Sequence, residues 1–417
     1  MMSEKLGFQA TWSMAVGGMV GGGIFSTLGV VIGIAGAWAW LSFVSAGFVA
    51  LGAGYAYVGL ARRFGEGGGA FTFLREIDED GFAGGLSWVL IVGYILTNAV
   101  YASTFGQYVG YVIGLGPWFP RVAAIGIISV FVVVNLRSAG EAGGVEIFLV
   151  WFKLVALVGL ALVGISRWAP SMLSEGVPSS SPWIGLVAGA SVFMAYEGFQ
   201  LLTYDYEDIE DPDTTLPRAV LSAIVVVIVV YVLVTLGTTM LIGADVIVAN
   251  EEVALAVAGR EIAGTVGVVI VSIAAAFSTG SAINSTLFAT ARLTERVASA
   301  GELPSWLDHR NTKQLPDHAI ITLGAAAALL GALGALGALV EAASVAFLVT
   351  FTVVATIAFR LGVGSRLATG ATALAAAGAT IAVTIRLIAT DPIAIAGLAL
   401  VVFVAAWVRP RILHRTA

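Results

Sequence analysis

The sequence predicts an all-α integral membrane protein of about twelve transmembrane helices, and three observations predict it. Of the 417 residues, 59% are hydrophobic and only 11% are charged, less than half the charged share of a soluble domain, which runs at about 25%. Apolar windows of about 20 residues, the length that spans a bilayer core, recur along the whole chain. The longest polar stretch between them is the loop of roughly 27 residues from Arg292 to His318, so no soluble domain fits and residues 1–417 read as one membrane domain.

The first window, 8–34, contains GGMVGGGIFS at 17–26. A glycine in a helix interior costs about 1 kcal/mol relative to alanine, and unwound backbone at membrane depth must be buried in protein or line a cavity. A helix break is therefore expected at Gly21, Gly22 and Gly23. Windows 36–60, 83–110 and 121–137 follow without interruption, and 143–166 carries Lys153 about ten residues from either end. At 1.5 Å per residue this lysine sits roughly 15 Å from each interface, beyond the reach of a snorkelling side chain, and must face protein or a watery cavity. The sixth window, 183–204, contains AYEGFQLL at 195–202, where a second break is expected between Tyr196 and Gly198, with Glu197 inside it. After 219–243 comes 263–291, whose run AFSTGSAINSTLFATARL places Ser278 and Ser281 three apart on one helix face. The windows 319–340, 342–360, 367–388 and 392–408 complete the set; their alanine and glycine content lets helix backbones approach closely. The first window is too long for a signal peptide and lacks a basic n-region and a small-residue cleavage site, so none is expected.

Basic residues set the orientation. With the amino terminus inside, fifteen Lys and Arg fall on the cytoplasmic side and only Arg121, Arg167, Arg260 and Arg386 lie outside, which predicts a multi-pass protein of the cytoplasmic membrane with both termini in the cytoplasm. The net charge of −6 comes from acidic loop clusters such as REIDEDG and DYEDIEDPD and carries no functional conclusion. The absence of cysteine excludes disulfides, thiol catalysis and thiolate metal sites. His309, His318 and His414 fall in loops or the tail. GEGGGAF at 65–71 lacks the Gly-Lys-Ser/Thr of a P-loop, and no HEXXH pattern occurs. No enzyme activity, cofactor, metal or nucleic-acid partner is expected, and energy for any transport would come from an ion gradient.

Breaks in the first and sixth helices, five spans apart, are the pattern of an inverted repeat with a binding site between its halves. The halves would be about 8–166 and 183–360, followed by two additional helices at about 367–408. Free amides at Gly21–Gly23 would suit a carboxylate, joining unpaired donors to the positive end of a half-helix; close helix packing is the other use of these glycines. Lys153 is a candidate for proton coupling or for a structural bond to nearby carbonyls. Glu197 can carry a proton, accept an ammonium group, pair with Lys153, or stabilise the break. Ser278 and Ser281 can offer oxygens to a cation or to Lys153, or back-bond to their own helix. Tyr94, Tyr101, Phe193 and Tyr196 can line or gate a pocket, or pack the core.

Three motifs resemble those of the amino acid–polyamine–organocation (APC) superfamily of secondary transporters. GGMVGGGIF resembles the first-helix pattern Gly-Ser-Gly-Ile-Phe. FMAYEGFQLLTYDYEDIEDPDTTLPRAV, 193–220, resembles the sixth helix and its following loop, and AFSTGSAINSTLFATARLTERVASAGELPSWL, 276–307, resembles the eighth helix and its Gly-x-Leu-Pro exit. The resemblance implies a five-plus-five inverted repeat with broken helices 1 and 6 and two further helices. It implies that amides of Gly21, Gly22, Gly23 and Ile24 hold a substrate carboxylate, while carbonyls of the first and sixth helices, with Phe193, Ala195 and Tyr196 matching by position, hold its amine. It implies that Lys153 matches the lysine that stands at the sodium position in proton-coupled members. The chain departs from the pattern at Gly22, where a serine is usual, and at Asp211–Pro212, where Asn-Pro is usual. The expected function is alternating-access transport of amino acids, by proton symport. The alternatives are an amino acid or amine exchanger, a sodium symporter, and a membrane sensor that binds an amino acid without moving it.

Overall fold

The computed structural model describes residues 5–77, 80–137 and 143–409. Its principal helices are α1 Phe8–Ala35, α2 Ala39–Phe64, α3 Asp80–Ile113, α4 Phe119–Asn135, α5 Gly143–Ser166, α6 Pro182–Ala188, α7 Pro212–Ile242, α8 Ala254–Ser299, α9 Asp317–Leu333, α10 Leu336–Arg360, α11 Arg366–Thr390 and α12 Pro392–Phe403. Among the described residues, seven stretches are long and apolar enough to cross a membrane, the first of which joins α1 and α2, and three shorter apolar helices accompany them. With the broken sixth segment these account for the twelve expected spans. Arg411, Arg415 and His414 lie outside the described residues.

Boundaries move where local chemistry extends or stops a helix. Helix α7 begins at Pro212 rather than near 219, because proline at the first position needs no amide partner and Asp213 favours the first turn. The eighth helix begins nine residues before the expected 263. It bends at Ala263 and Gly264, where Gly264 has φ +56°, a left-handed conformation that glycine adopts without a Cβ clash. The leg before the bend folds back, so that a Cβ at Gly259 would lie 2.6 Å from the Gly267 carbonyl oxygen. The ninth and tenth spans divide at Gly334, whose extended backbone ends α9, rather than near 341.

The core gathers around α1, whose residues from Met19 to Ile32 are all buried. Helices α5, α7 and α8 and the turns of the sixth segment pack against it. Helices α11 and α12 lie at the periphery: α12 has no buried residue, and Leu367, Leu374 and Ile393 are largely exposed, as expected of surfaces that meet lipid. Near the amino terminus, Leu6 exchanges backbone hydrogen bonds with residues 208 and 210, its N–H donating to the Asp208 carbonyl (2.8 Å) and its carbonyl accepting from Glu210 N–H (2.9 Å).

One expectation is overturned. The first helix is not broken at Gly21–Gly23: α1 runs without interruption from Phe8 to Ala35. Three glycines cost the helix about 3 kcal/mol in propensity, but tertiary contacts that only glycine permits oppose this. A Cβ at Gly21 would run into Ala282, one at Gly22 into the Tyr101 ring, and one at Gly23 into Tyr231 and the Ala195 carbonyl. Ser26 Oγ and Thr27 Oγ1 also donate to the Gly22 and Gly23 carbonyls, at 2.6 and 2.7 Å.

Candidate functional site

The sixth segment breaks where the sequence places the break. After α6 the chain passes through a 3-10 turn, Phe193–Tyr196, to Glu197, whose backbone is extended, and Gly198, with φ +124°. Only glycine accepts that conformation readily, and it is needed for a second reason: a Cβ at Gly198 would lie 2.6 Å from the Gly18 carbonyl carbon. Backbone therefore meets backbone between α1 and the break. The freed groups find side-chain partners. Gly198 N–H donates to Gln200 Oε1 (3.0 Å), and Met194 N–H donates to Ser344 Oγ (3.0 Å) of α10. Tyr231 Oη of α7 lies 2.7 Å from the Met19 carbonyl and 2.9 Å from the Ala195 carbonyl, so one hydroxyl proton ties α1 to the break.

Glu197 is buried and both of its oxygens are engaged. Oε2 accepts from Tyr101 Oη (3.1 Å) and Oε1 from Gln200 Nε2 (3.0 Å). Gln200 Nε2 also donates to Tyr94 Oη (3.2 Å), which lies 3.4 Å from Tyr204 Oη. Among the described residues no basic group stands within ion-pair distance of Glu197, so the expected alternative of a pair with Lys153 is not formed. A carboxyl group buried this way is costly unless hydrogen-bonded, and here two side-chain donors meet it.

Lys153 is 1% exposed, and its Nζ donates to the Gly17 carbonyl at 3.0 Å. The ammonium of α5 thus docks on α1, one residue before the Gly18–Gly198 contact. One turn further along α1, Ser278 Oγ donates to the Val20 carbonyl (2.8 Å). Ser278 is buried while Ser281 is half-buried, because Ala282 rather than Ser281 presses on Gly21.

The remaining candidates divide. Tyr101 and Tyr94 belong to the Glu197 network. Gly21, Gly22, Gly23 and Ile24 are buried at its edge, within an unbroken helix rather than as free amides. Ala195 contributes its carbonyl. The side chains of Tyr196 and Phe193 turn away: Tyr196 Oη donates to the Phe43 carbonyl of α2 (2.7 Å), and Phe193 stacks edge-on with Phe351 at 5.5 Å. Sequence reasoning missed Tyr231, Gln200 and Ser344. A lone tyrosine in the apolar run VVIVVYVLV and an amide in the broken segment were the available signals, since a polar tip at membrane depth needs a partner.

A family model for amino acid permeases matches residues 6–414. The chain belongs to the amino acid permease family. This is a branch of the APC superfamily, and membership makes the chain a multi-pass membrane protein of an amino acid transporter family. It is 31% identical to the inner membrane transport protein YbaT of Escherichia coli, over 86% of this chain and 84% of that one. It is 26% identical to the branched-chain amino acid permease BcaP of Lactococcus lactis, over 75% of this chain and 70% of that one. Its fold resembles the crystal structure of MhsT in complex with L-phenylalanine, with a TM-score of 0.63, 15% identity and coverage of 96% and 98% of the two chains.

Proposed function

We propose that the protein is a secondary active transporter that carries amino acids across the cytoplasmic membrane by alternating access and couples uptake to protons. The observation that carries this reading is the ammonium of Lys153, buried against the Gly17 carbonyl of α1. It puts a positive charge against a backbone carbonyl of α1, a role that a bound sodium ion would otherwise fill, and Lys153 and Glu197 are the groups that couple protons to transport. Glu197, at the helix break, is the group that carries a proton or meets the substrate amine. The architecture in this reading is two five-helix repeats, 8–166 and 183–360, with α11 and α12 added, and both termini in the cytoplasm.

The substrate surface is the strip of α1 at Gly21–Ile24 with the carbonyls of Phe193, Ala195 and Tyr196. In the present conformation Tyr101 and the sixth segment rest on that strip, so substrate entry requires Tyr101 to move aside. BcaP is named for branched-chain amino acids, which makes neutral amino acids the first class to test. The test is uptake of a panel of labelled amino acids into proteoliposomes, with proton and sodium gradients imposed separately. Uptake that follows the proton gradient and ignores sodium supports the reading; uptake that requires sodium defeats it.

A further inference from the structure

We propose that His309, Asp317 and His318 form a binding site for one divalent transition-metal ion of the zinc class, on the loop that joins α8 to α9. One ligand atom from each residue lies within 4.8 Å of the others, although the two histidines are nine positions apart in sequence. His309 Nδ1 lies 2.7 Å from Asp317 Oδ1, and His318 Nδ1 lies 2.8 Å from the Trp306 carbonyl oxygen. The Trp306 carbonyl is an acceptor, so a neutral His318 imidazole carries its hydrogen on Nδ1 and keeps the Nε2 lone pair; His309 Nδ1 instead faces Asp317, and an ion bound there takes the place of the shared hydrogen. For His318 this is the usual form of a metal-ligating histidine, whose other nitrogen donates to a carbonyl that fixes the tautomer and aims the ring. The two rings stack at 4.3 Å with 16° between their planes.

The loop around the cluster is held from several sides. Asn311 Oδ1 accepts from the N–H groups of Lys313 (2.8 Å) and Leu315 (3.1 Å), and Asn311 Nδ2 donates to the Leu136 carbonyl at the end of α4 (3.2 Å). Arg310 Nε donates to Glu295 of α8 (2.7 Å), and Lys313 Nζ to the Arg137 carbonyl (2.7 Å). Asp317 Oδ1 also accepts from His318 N–H (2.9 Å). These bonds hold the loop backbone between the two histidines in place. A tetrahedral ion at about 2.1 Å from its ligands asks them to stand about 3.4 Å apart. The exposed side chain of His309 supplies the necessary rotation by giving its hydrogen bond to Asp317 over to the ion. Two imidazoles and one carboxylate suit zinc, cobalt or nickel and not magnesium or calcium, which take oxygen ligands. The ion would clip the turn Ser305–Asp308 and His309 to the first turn of α9, stiffening the passage from α8, which touches α1 through Ser278.

The experiment is calorimetric titration of the full chain in detergent, without an affinity tag and after chelator treatment, with Zn2+, together with absorption spectra on adding Co2+. One Zn2+ per chain is expected, undisturbed by excess Mg2+, with the visible bands of a low-symmetry Co2+ site. His309→Ala, His318→Ala and Asp317→Asn should each weaken binding at least tenfold, the last keeping an acceptor for His318 N–H; His414→Ala should not. Zn2+ should raise the melting temperature of the native chain and not that of His309→Ala. No binding by the native chain, undiminished binding by His309→Ala and His318→Ala, or loss of binding in His414→Ala would overturn the assignment.

Discussion

Replacing Lys153 with methionine separates proton coupling from plain structure. Methionine is nearly as long as lysine and keeps most of the packing along α5 while removing the ammonium. The loss is a charge-assisted hydrogen bond to the Gly17 carbonyl, worth about 1.5–3 kcal/mol. Against it stands the effective cost of keeping an ammonium out of water, which is several kcal/mol. The Gly17 carbonyl is not orphaned, because α1 is continuous and supplies an intrahelical donor. The two terms nearly cancel, so the variant should fold with a stability within about 2 kcal/mol of the native chain. Transport should behave differently. In proteoliposomes with an imposed proton gradient, native uptake should be indifferent to replacing sodium by choline, and Lys153→Met should lose at least tenfold in rate, or about 1.4 kcal/mol in the governing step. Strict sodium dependence in the native protein, or gradient-driven uptake surviving in Lys153→Met, would refute the reasoning.

Glu197→Gln should keep the fold, since an amide can still accept from Gln200 and donate to the Tyr101 hydroxyl, while transport drops at least tenfold; unchanged rates and pH dependence would return Glu197 to a purely structural role. Glu197→Ala, by contrast, should lower stability by roughly 2–5 kcal/mol, because it strands buried donors on Tyr101 and Gln200, and a melting curve like that of Glu197→Gln would contradict the network. Gly22→Leu should abolish amino acid binding in a scintillation assay and lower the melting temperature as well, since its side chain displaces the buried Tyr101 ring that holds Glu197; Gly23→Ala should also destabilise the fold, because its Cβ would lie 2.6 Å from the Ala195 carbonyl oxygen. A cysteine at Thr312, in a chain that has none of its own, should resist a membrane-impermeant reagent applied to intact cells; rapid labelling would reverse the topology.

Much of the helical plan was legible because hydropathy alone governs it: the fifth span was read at 143–166 and α5 is Gly143–Ser166. The break at Glu197–Gly198 was legible because a glycine beside a membrane-depth carboxylate is hard to place in a regular helix. The continuity of α1 was not, since it is decided by what presses on Gly21–Gly23 from α3, α7 and α8, and intrinsic propensity says nothing of those partners. The same limit hid Tyr231: its hydroxyl matters only because folding brings the Met19 and Ala195 carbonyls within reach. Lys153 was recognisable from depth in the membrane, but its acceptor on α1 was not. For Ser278 and Ser281 the spacing gave the face of the helix, and the packing of Ala282 against Gly21 chose between them.

The hydroxyls of Ser26 and Thr27 change what it would take to open α1. Each already shares a carbonyl, Gly22 or Gly23, with the helix's own amides. In a bilayer, unwinding one turn ordinarily strands such acceptors at about 1–3 kcal/mol apiece. Here a side-chain hydroxyl already shares each of two of them, and the amides that bond those same carbonyls are those of Ser26 and Thr27, just beyond the Gly21–Ile24 strip. Ser26 Oγ also lies 2.8 Å from Thr104 Oγ1 of α3, so the hydroxyl that secures the loosened turn is anchored from outside α1. Hydroxyls that bond back to the preceding turn weaken and bend a helix, so the glycine-rich turn of α1 is where the helix gives way at least cost.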